Sequence, residues 1–140
     1  LKNKGVPKAE IRKKVAGLLE QCGLESEYMD RYPHQVSGGQ CQRAAIARAL
    51  AVEPQIIVCD EATSALDVTV QKRVIDLLKN LQENKNLSYV FICHNLALVQ
   101  QFCDRVLVMK DGRVVEDGIP DEVIQNPKEG YTKMLVDSVF

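Results

Sequence analysis

Apolar positions recur at helical spacing through the first third of the chain. From Lys8 to Gln21, apolar side chains return every three or four residues between charges, which predicts an amphipathic helix that stops before Gly23. A second helix is predicted from Gln40 to Ala51, a run rich in Ala, Arg, Gln and Leu, with Ser37 near its N-cap. The polar stretch from Glu25 to Pro33 predicts irregular structure between the two helices.

Continuous apolar runs predict two strands in the middle of the chain. Gln55–Asp60 follows Pro54 and is typical of a strand covered on both faces, and Tyr89–Cys93 is typical of a second buried strand. Helical spacing returns over Val68–Gln82 and Leu96–Phe102. The order strand, helix, strand, helix predicts an α/β fold.

The last third of the chain predicts a hairpin followed by two helices. Asp111-Gly112 lies between two apolar runs, Arg105–Met109 and Arg113–Glu116, which is a strong local signal for an antiparallel hairpin at a sheet edge. Terminal helices are predicted over Pro120–Gln125 and Tyr131–Val139.

Composition excludes several classes of protein. The 140 residues are 46% hydrophobic and 26% charged, which is enough for a packed core. The 18 basic and 19 acidic residues nearly cancel, so no long-range field favours nucleic acid or an anionic membrane surface. The five cysteines are scattered without a C-x-x-C pair, which favours a reducing, cytosolic compartment. No apolar run approaches the roughly 18 residues that cross a bilayer, and Leu1–Gly5 resembles neither a signal peptide nor a natural initiation.

Ser37-Gly38-Gly39-Gln40 is the first candidate for chemistry. Its glycines allow backbone N–H groups to approach an anion at the positive end of the predicted helix. The alternative is a plain turn before a helix, which an isolated Ser-Gly-Gly favours.

Two further candidates follow the predicted strands. Asp60-Glu61 closes the first strand, where an α/β sheet binds ligands and where an Asp can hold Mg²⁺ while a neighbour orients the attacking water. The alternative is a helix cap or a surface acid pair. His94 follows the second strand and reaches the same edge if the sheet is parallel. The alternative is a structural histidine at a strand–helix junction, with its hydrogen bonds made within the protein and Asn95 as the N-cap.

Together these segments resemble the ATP-binding subunits of ABC transporters. Val36–Gln40 resembles the ABC signature, Ile56–Glu61 the Walker B strand, Ser64-Ala65-Leu66-Asp67 the D-loop, and His94 the switch histidine. The resemblance covers essentially the whole chain. Further segments are similar to the peptide/nickel importer branch: Arg31-Tyr32-Pro33-His34, Ala65–Gln71, Asn126-Pro127 and Tyr131-Thr132.

The resemblance implies a fold and a role for each motif residue. The fold would be a partial P-loop NTPase (RecA-like) ABC ATPase core, with residues 1–53 in the helical signature subdomain and 54–140 in the C-terminal part of the core. The cofactors would be ATP and Mg²⁺. The implied roles are Mg²⁺ binding through water for Asp60, polarisation of the attacking water for Glu61, and γ-phosphate contact for His94. In the other half-site, Ser37, Gly38 and Gly39 would contact ATP held mainly by a second subunit, Gln40 would close the signature, and Asp67 would couple the two sites.

The implied partners are a second ATPase subunit, identical or not, and transmembrane permease subunits, with no nucleic acid. The chain would be cytoplasmic and peripheral on the inner face of the membrane. Departures from the usual pattern are Val36, Ala62 and Asn95, none of them a proposed catalytic group. A P-loop needs G-x-x-x-x-G-K-[ST], and the sequence has no Gly-Lys dipeptide, so we expect this chain alone to be inactive.

Two other functions stay open at this point. The first is a non-enzymatic fragment that folds and self-associates through exposed strand edges. The second is a soluble ABC ATPase of the DNA-repair or translation type, against which the near-neutral charge and the importer-like tail argue.

Overall fold

The computed structural model describes residues 5, 7–63 and 66–139, which fall into two compact units, Leu1–Val90 and Phe91–Phe140. The chain combines helices and strands, which alternate through its middle part, so the α/β class is confirmed. The predicted boundary between residues 53 and 54 divides the chain at another point and stays a prediction.

The first unit begins with two helices joined by short 3₁₀ turns. Helix α1 spans Lys8–Gln21, as predicted, and α2 spans Gly38–Leu50, with the turns at Ser26–Asp30 and Pro33–Gln35 between them. Gly23 ends the first helical segment with a φ of 68°, a left-handed conformation that glycine adopts without steric cost. Helix α1 packs against α2, and α2 against the next helix, around apolar side chains that include Leu18, Leu19, Ile46, Leu50, Val74 and Leu78.

A strand, a long helix and a second strand complete this unit. Strand β1 spans Ile56–Asp60, α3 spans Val68–Lys85, and β2 spans Ser88–Ile92, where it continues into the second unit. The two strands are hydrogen-bonded neighbours in one sheet. Asn86 ends α3 in the left-handed conformation, with a φ of 53°.

The sheet is covered on one face only, so the prediction that β1 is buried on both faces is wrong for the described residues. Ile57 and Cys59 are buried, whereas the alternate side chains of Ile56 and Val58 are 61% and 63% exposed. In β2, Val90 is likewise exposed, whereas Tyr89 is half-buried. This alternation is typical of a strand with a packed layer on one side.

The second unit contains a hairpin and three short helices. Helix α4 spans Leu96–Phe102 and α5 spans Pro120–Gln125, both as predicted, and α6 spans Gly130–Asp137. Strands β3, Val106–Lys110, and β4, Arg113–Gly118, pair antiparallel, with a bulge between Val108 and Met109. Asp111 and Gly112 have φ angles of 49° and 74°, as a tight two-residue hairpin turn requires, so the predicted hairpin is confirmed.

The cysteines are free thiols in varied surroundings. Burial raises the pKa of Cys22 and that of Cys103 to about 11, so both thiols stay neutral at physiological pH. Among the described residues, no helix is both long enough and apolar enough to cross a membrane.

Candidate functional site

The N-terminus of α2 is closed by a capping box. Ser37, in an extended conformation, is the N-cap, as predicted, and its Oγ accepts a hydrogen bond of 3.3 Å from the Gln40 backbone N–H. In return, the Ser37 backbone N–H donates to Gln40 Oε1 at 2.8 Å. The first amides of the helix, those of Gly38 and Gly39, precede the first intrahelical bond, which runs from Cys41 N–H to Ser37 O. Such amides at a positive helix end are suited to bind an anion.

The two glycines of this segment have different surroundings. Gly38 is exposed, and a Cβ placed there would lie 3.4 Å from Leu66, an ordinary contact. Gly39 is buried, and a Cβ placed there would lie 2.3 Å from Cγ1 of Val70 in the first turn of α3. The absence of a side chain at Gly39 therefore lets α2 approach α3 closely.

Gln40 makes a further contact that the sequence did not predict. Its Nε2 donates a part-buried hydrogen bond of 2.8 Å to the Tyr28 hydroxyl, in the 3₁₀ turn before the site. Tyr28 lies twelve positions upstream and carries no motif, so no sequence signal pointed to it.

The carboxylates after β1 lie at a sharp change of chain direction. Asp60 is the last residue of the strand, and both Asp60 and Glu61 are exposed. Glu61 has a φ of 45°, which costs a residue with a side chain about 1 kcal/mol or more. The following turn is braced by Thr63, whose buried hydroxyl accepts a 3.2 Å hydrogen bond from Gln71 Nε2 of α3. Backbone strain at an exposed carboxylate is typical of functional sites.

Asp67 is the N-cap of α3, and its Oδ1 accepts from the Val70 N–H at 3.0 Å. The predicted D-loop is only partly visible, because Ser64 and Ala65 lie outside the described residues. Because Val70 also faces Gly39, the first unit brings the Ser37–Gln40 segment next to the segment that begins at Leu66.

His94 lies in the second unit, exposed between β2 and α4. Asn95 is the N-cap of α4, as predicted, and its Oδ1 accepts from the Leu98 N–H at 3.1 Å. The convergence of His94 with Asp60 and Glu61 stays a prediction, since these residues belong to different units.

The residues present fit a magnesium ion that is shared with a phosphate ligand. Within the described part of the chain, no group of three or more His, Cys, Asp or Glu side chains is placed to hold a metal. Asp60 offers exposed carboxylate oxygens beside Glu61, and Mg²⁺ usually binds one or two carboxylates together with water and phosphate oxygens.

Comparisons with known proteins agree with these motifs. Residues 2–64 match the protein family described as ABC transporter. Over 130 residues the chain is 50% identical to the oligopeptide transport ATP-binding protein OppF of Escherichia coli, which covers 93% of this chain and 39% of that protein.

Solved structures give similar matches. One is cbiO1 from Clostridium perfringens, part of the ABC transporter complex cbiONQ, with a TM-score of 0.75 at 36% identity over 86% of this chain and 48% of that chain. Another is the ATP-binding cassette MJ0796 in a dimeric post-hydrolysis state bound to ADP and Pi, with a TM-score of 0.70 at 36% identity over 82% of this chain and 49% of that chain. The chain thus spans about half the length of these structures and 39% of OppF.

Proposed function

Since residues 2–64 match the ABC transporter family and the chain is 50% identical to OppF over 93% of its length, we propose that it forms the part of an importer ATPase that carries the Walker B carboxylates and the signature. The complete ATPase would couple ATP hydrolysis to the uptake of a small solute, a peptide. The observation that carries this proposal is the 50% identity to OppF over 93% of the chain. Curated relatives are named oligopeptide and dipeptide transport ATP-binding proteins, which supports the choice of solute.

In the proposed hydrolytic half-site, the chain contributes the two carboxylates at the end of β1, which accept hydrogen bonds or a proton. Bound Mg²⁺ would neutralise charge on the β- and γ-phosphates of ATP. Asp60 would accept hydrogen bonds from water in the metal shell, and Glu61 would accept a proton from the attacking water and orient it. His94 would donate to the γ-phosphate. Positioning and charge stabilisation supply most of the catalysis in phosphoryl transfer. Asp60 and Glu61 would contribute positioning, whereas His94 would contribute charge stabilisation.

In the proposed second half-site, the N-terminus of α2 acts on ATP held mainly by another subunit. The Ser37 hydroxyl and the amides of Gly38 and Gly39 would donate to the γ-phosphate, and Asp67 would couple the two sites. The exposure of Ser37 and Gly38 supports this role, because a ligand carried by a partner can reach them. The dimeric state of MJ0796 supports a two-subunit assembly. Permease subunits would hold the assembly at the inner face of the membrane.

The proposal is tested by placing the chain in a complete ATPase. In a chimera, this chain replaces the matching segment of E. coli OppF, and uptake of a labelled oligopeptide is measured in cells that lack OppF. We expect the chimera to restore uptake. A Glu61→Gln chimera should not restore uptake. Its ATP hydrolysis should be slower by a factor of about 100 or more, because the group that takes the proton from water is gone.

Two controls make the outcome specific. Glu83→Gln changes an exposed glutamate of α3 in the same unit and should leave hydrolysis unchanged. This chain by itself should show no Mg²⁺-dependent hydrolysis. A folded chimera without uptake, or equal hydrolysis in the Glu61→Gln chimera, would contradict the proposal.

A further inference from the structure

We propose that Tyr28 is a positioning residue of the signature and acts through Gln40 on the N-terminus of α2. The inference rests on the proposed function of that helix end, which is to contact the γ-phosphate of ATP in the partner half-site. It adds a residue from outside the signature, in the 3₁₀ turn Ser26–Asp30, to the machinery.

Both ends of the Gln40 amide make hydrogen bonds within the protein. The Ser37 backbone N–H can only donate, so the group that faces it at 2.8 Å must be Oε1. The amide nitrogen therefore faces Tyr28, whose hydroxyl oxygen accepts from it at 2.8 Å. In this orientation the amide oxygen and the amide nitrogen each make a hydrogen bond within the protein, so Gln40 serves to hold the Ser37 backbone.

Tyr28 is itself held in place by neighbouring side chains and by the packing of its turn. The Arg31 guanidinium lies 5.9 Å from the centre of the Tyr28 ring, and Arg31 pairs with Glu27 at 3.0 Å. The turn that carries Tyr28 packs against α1, and its last residue, Asp30, pairs with Arg12 of that helix at 2.6 Å. The phenol thus links this 3₁₀ turn, which itself packs against α1, to the first turn of α2.

Loss of the Tyr28 hydroxyl would affect catalysis. Without the phenol hydroxyl, the Gln40 side chain loses the partner that fixes its orientation, and the Ser37 N–H loses a fixed acceptor. The amides of Gly38 and Gly39 would then be less well preorganised for a charged phosphate. ATP held mainly by the partner half-site would still bind, so the effect should fall on kcat and not on KM for ATP.

The experiment compares three single variants and one double variant in the OppF chimera. Tyr28→Phe should lower kcat for ATP about 3- to 10-fold, the size expected for one hydrogen bond, with KM for ATP unchanged. Tyr32→Phe removes the hydroxyl of an exposed tyrosine four positions on and should leave both constants unchanged. In a Gln40→Ala background, Tyr28→Phe should have no further effect, because the side chain through which Tyr28 acts is absent.

Each outcome has a defined meaning. An unchanged kcat in Tyr28→Phe, or a full additional loss in the Gln40→Ala background, would overturn the inference while the proposed function stands. A fall in the melting temperature of Tyr28→Phe that accounts for the lost activity would assign Tyr28 to stability alone, which also overturns it. A parent chimera without hydrolysis would contradict the proposed function itself.

Discussion

Gly39 and Glu61 show how single residues are constrained around the candidate site. Gly39 is buried where α2 meets α3, and the nearest atom to a substituted Cβ, Val70 Cγ1, would be only 2.3 Å away. Glu61 takes a left-handed backbone conformation directly after β1. Both residues lie within motifs to which the resemblance assigns ligand contacts. Close packing also restricts Gly39, and the sharp turn after β1 also restricts Glu61.

A steric test separates the packing role of Gly39 from any ligand role. Gly39→Ala should lower the free energy of unfolding by about 1–3 kcal/mol, because the added methyl group overlaps Val70. Gly38→Ala is the matched control and should change it by less than about 1 kcal/mol, since its nearest neighbour is at van der Waals distance. Urea unfolding of this chain measures both. The cost of Gly39→Ala should shrink in a Val70→Ala background, and an equal cost in both backgrounds would contradict the overlap.

At the scale of elements, Glu116 joins the hairpin to the last helix. Its carboxylate accepts the backbone N–H of Lys128 at 2.9 Å and that of Glu129 at 3.1 Å, immediately before α6 begins. Chiefly because of the Lys128 N–H, the pKa of Glu116 lies below its ordinary value. β4 thus supplies a charged cap to a helix that starts twelve or more residues later.

This lowered pKa gives a prediction with a definite sign. Because folding favours the ionised carboxylate, its contribution to stability is present above the ordinary pKa of glutamate and is lost as the pH falls through the lowered pKa. Glu116→Gln should therefore speed amide hydrogen exchange in α6 at pH 7, and the difference from the parent should vanish in acid. Glu122→Gln, an exposed change in α5, is the control. A difference that persists unchanged in acid would contradict this account.

At the scale of the whole molecule, the β1–β2 sheet leaves one face exposed to solvent. Tyr89 donates from its hydroxyl to Leu78 O at 3.0 Å, and burial raises the pKa of Tyr89 to about 12, so this side chain lies on the packed side. Alternation then places Val90 on the other side, with Ile56 and Val58. Exposed apolar groups of this kind favour association. The sheet face therefore adds a second route to the self-associating fragment, for which the sequence predicted exposed strand edges.

That alternative predicts reversible self-association of the chain. Light scattering coupled to size exclusion should show an average mass that rises with concentration. Val58→Lys should weaken association about tenfold, because burying a valine stabilises a contact by about 1.5 kcal/mol or more. Val52→Lys introduces the same charge at an exposed valine outside the sheet and should leave association unchanged. A monomer at all concentrations would contradict the prediction.

The sequence by itself determined the local structure of this protein. Ser37, Asp67 and Asn95 begin helices as N-caps, and Asp111-Gly112 forms the hairpin turn, because capping and turn chemistry act between groups only a few residues apart. The motif residues were recognisable for the same reason, since each motif is a short contiguous segment. Their roles in catalysis stay proposals.

Only the tertiary structure decided which distant residues meet. The contacts of Gly39 with Val70, Gln40 with Tyr28, and Glu116 with the start of α6 join positions that lie twelve or more residues apart. The single covered face of β1 is a result of the same kind: an apolar run shows that a strand avoids water, but packing decides which side chains are buried. Long-range contacts form wherever folding brings two surfaces together, and no local spacing encodes them.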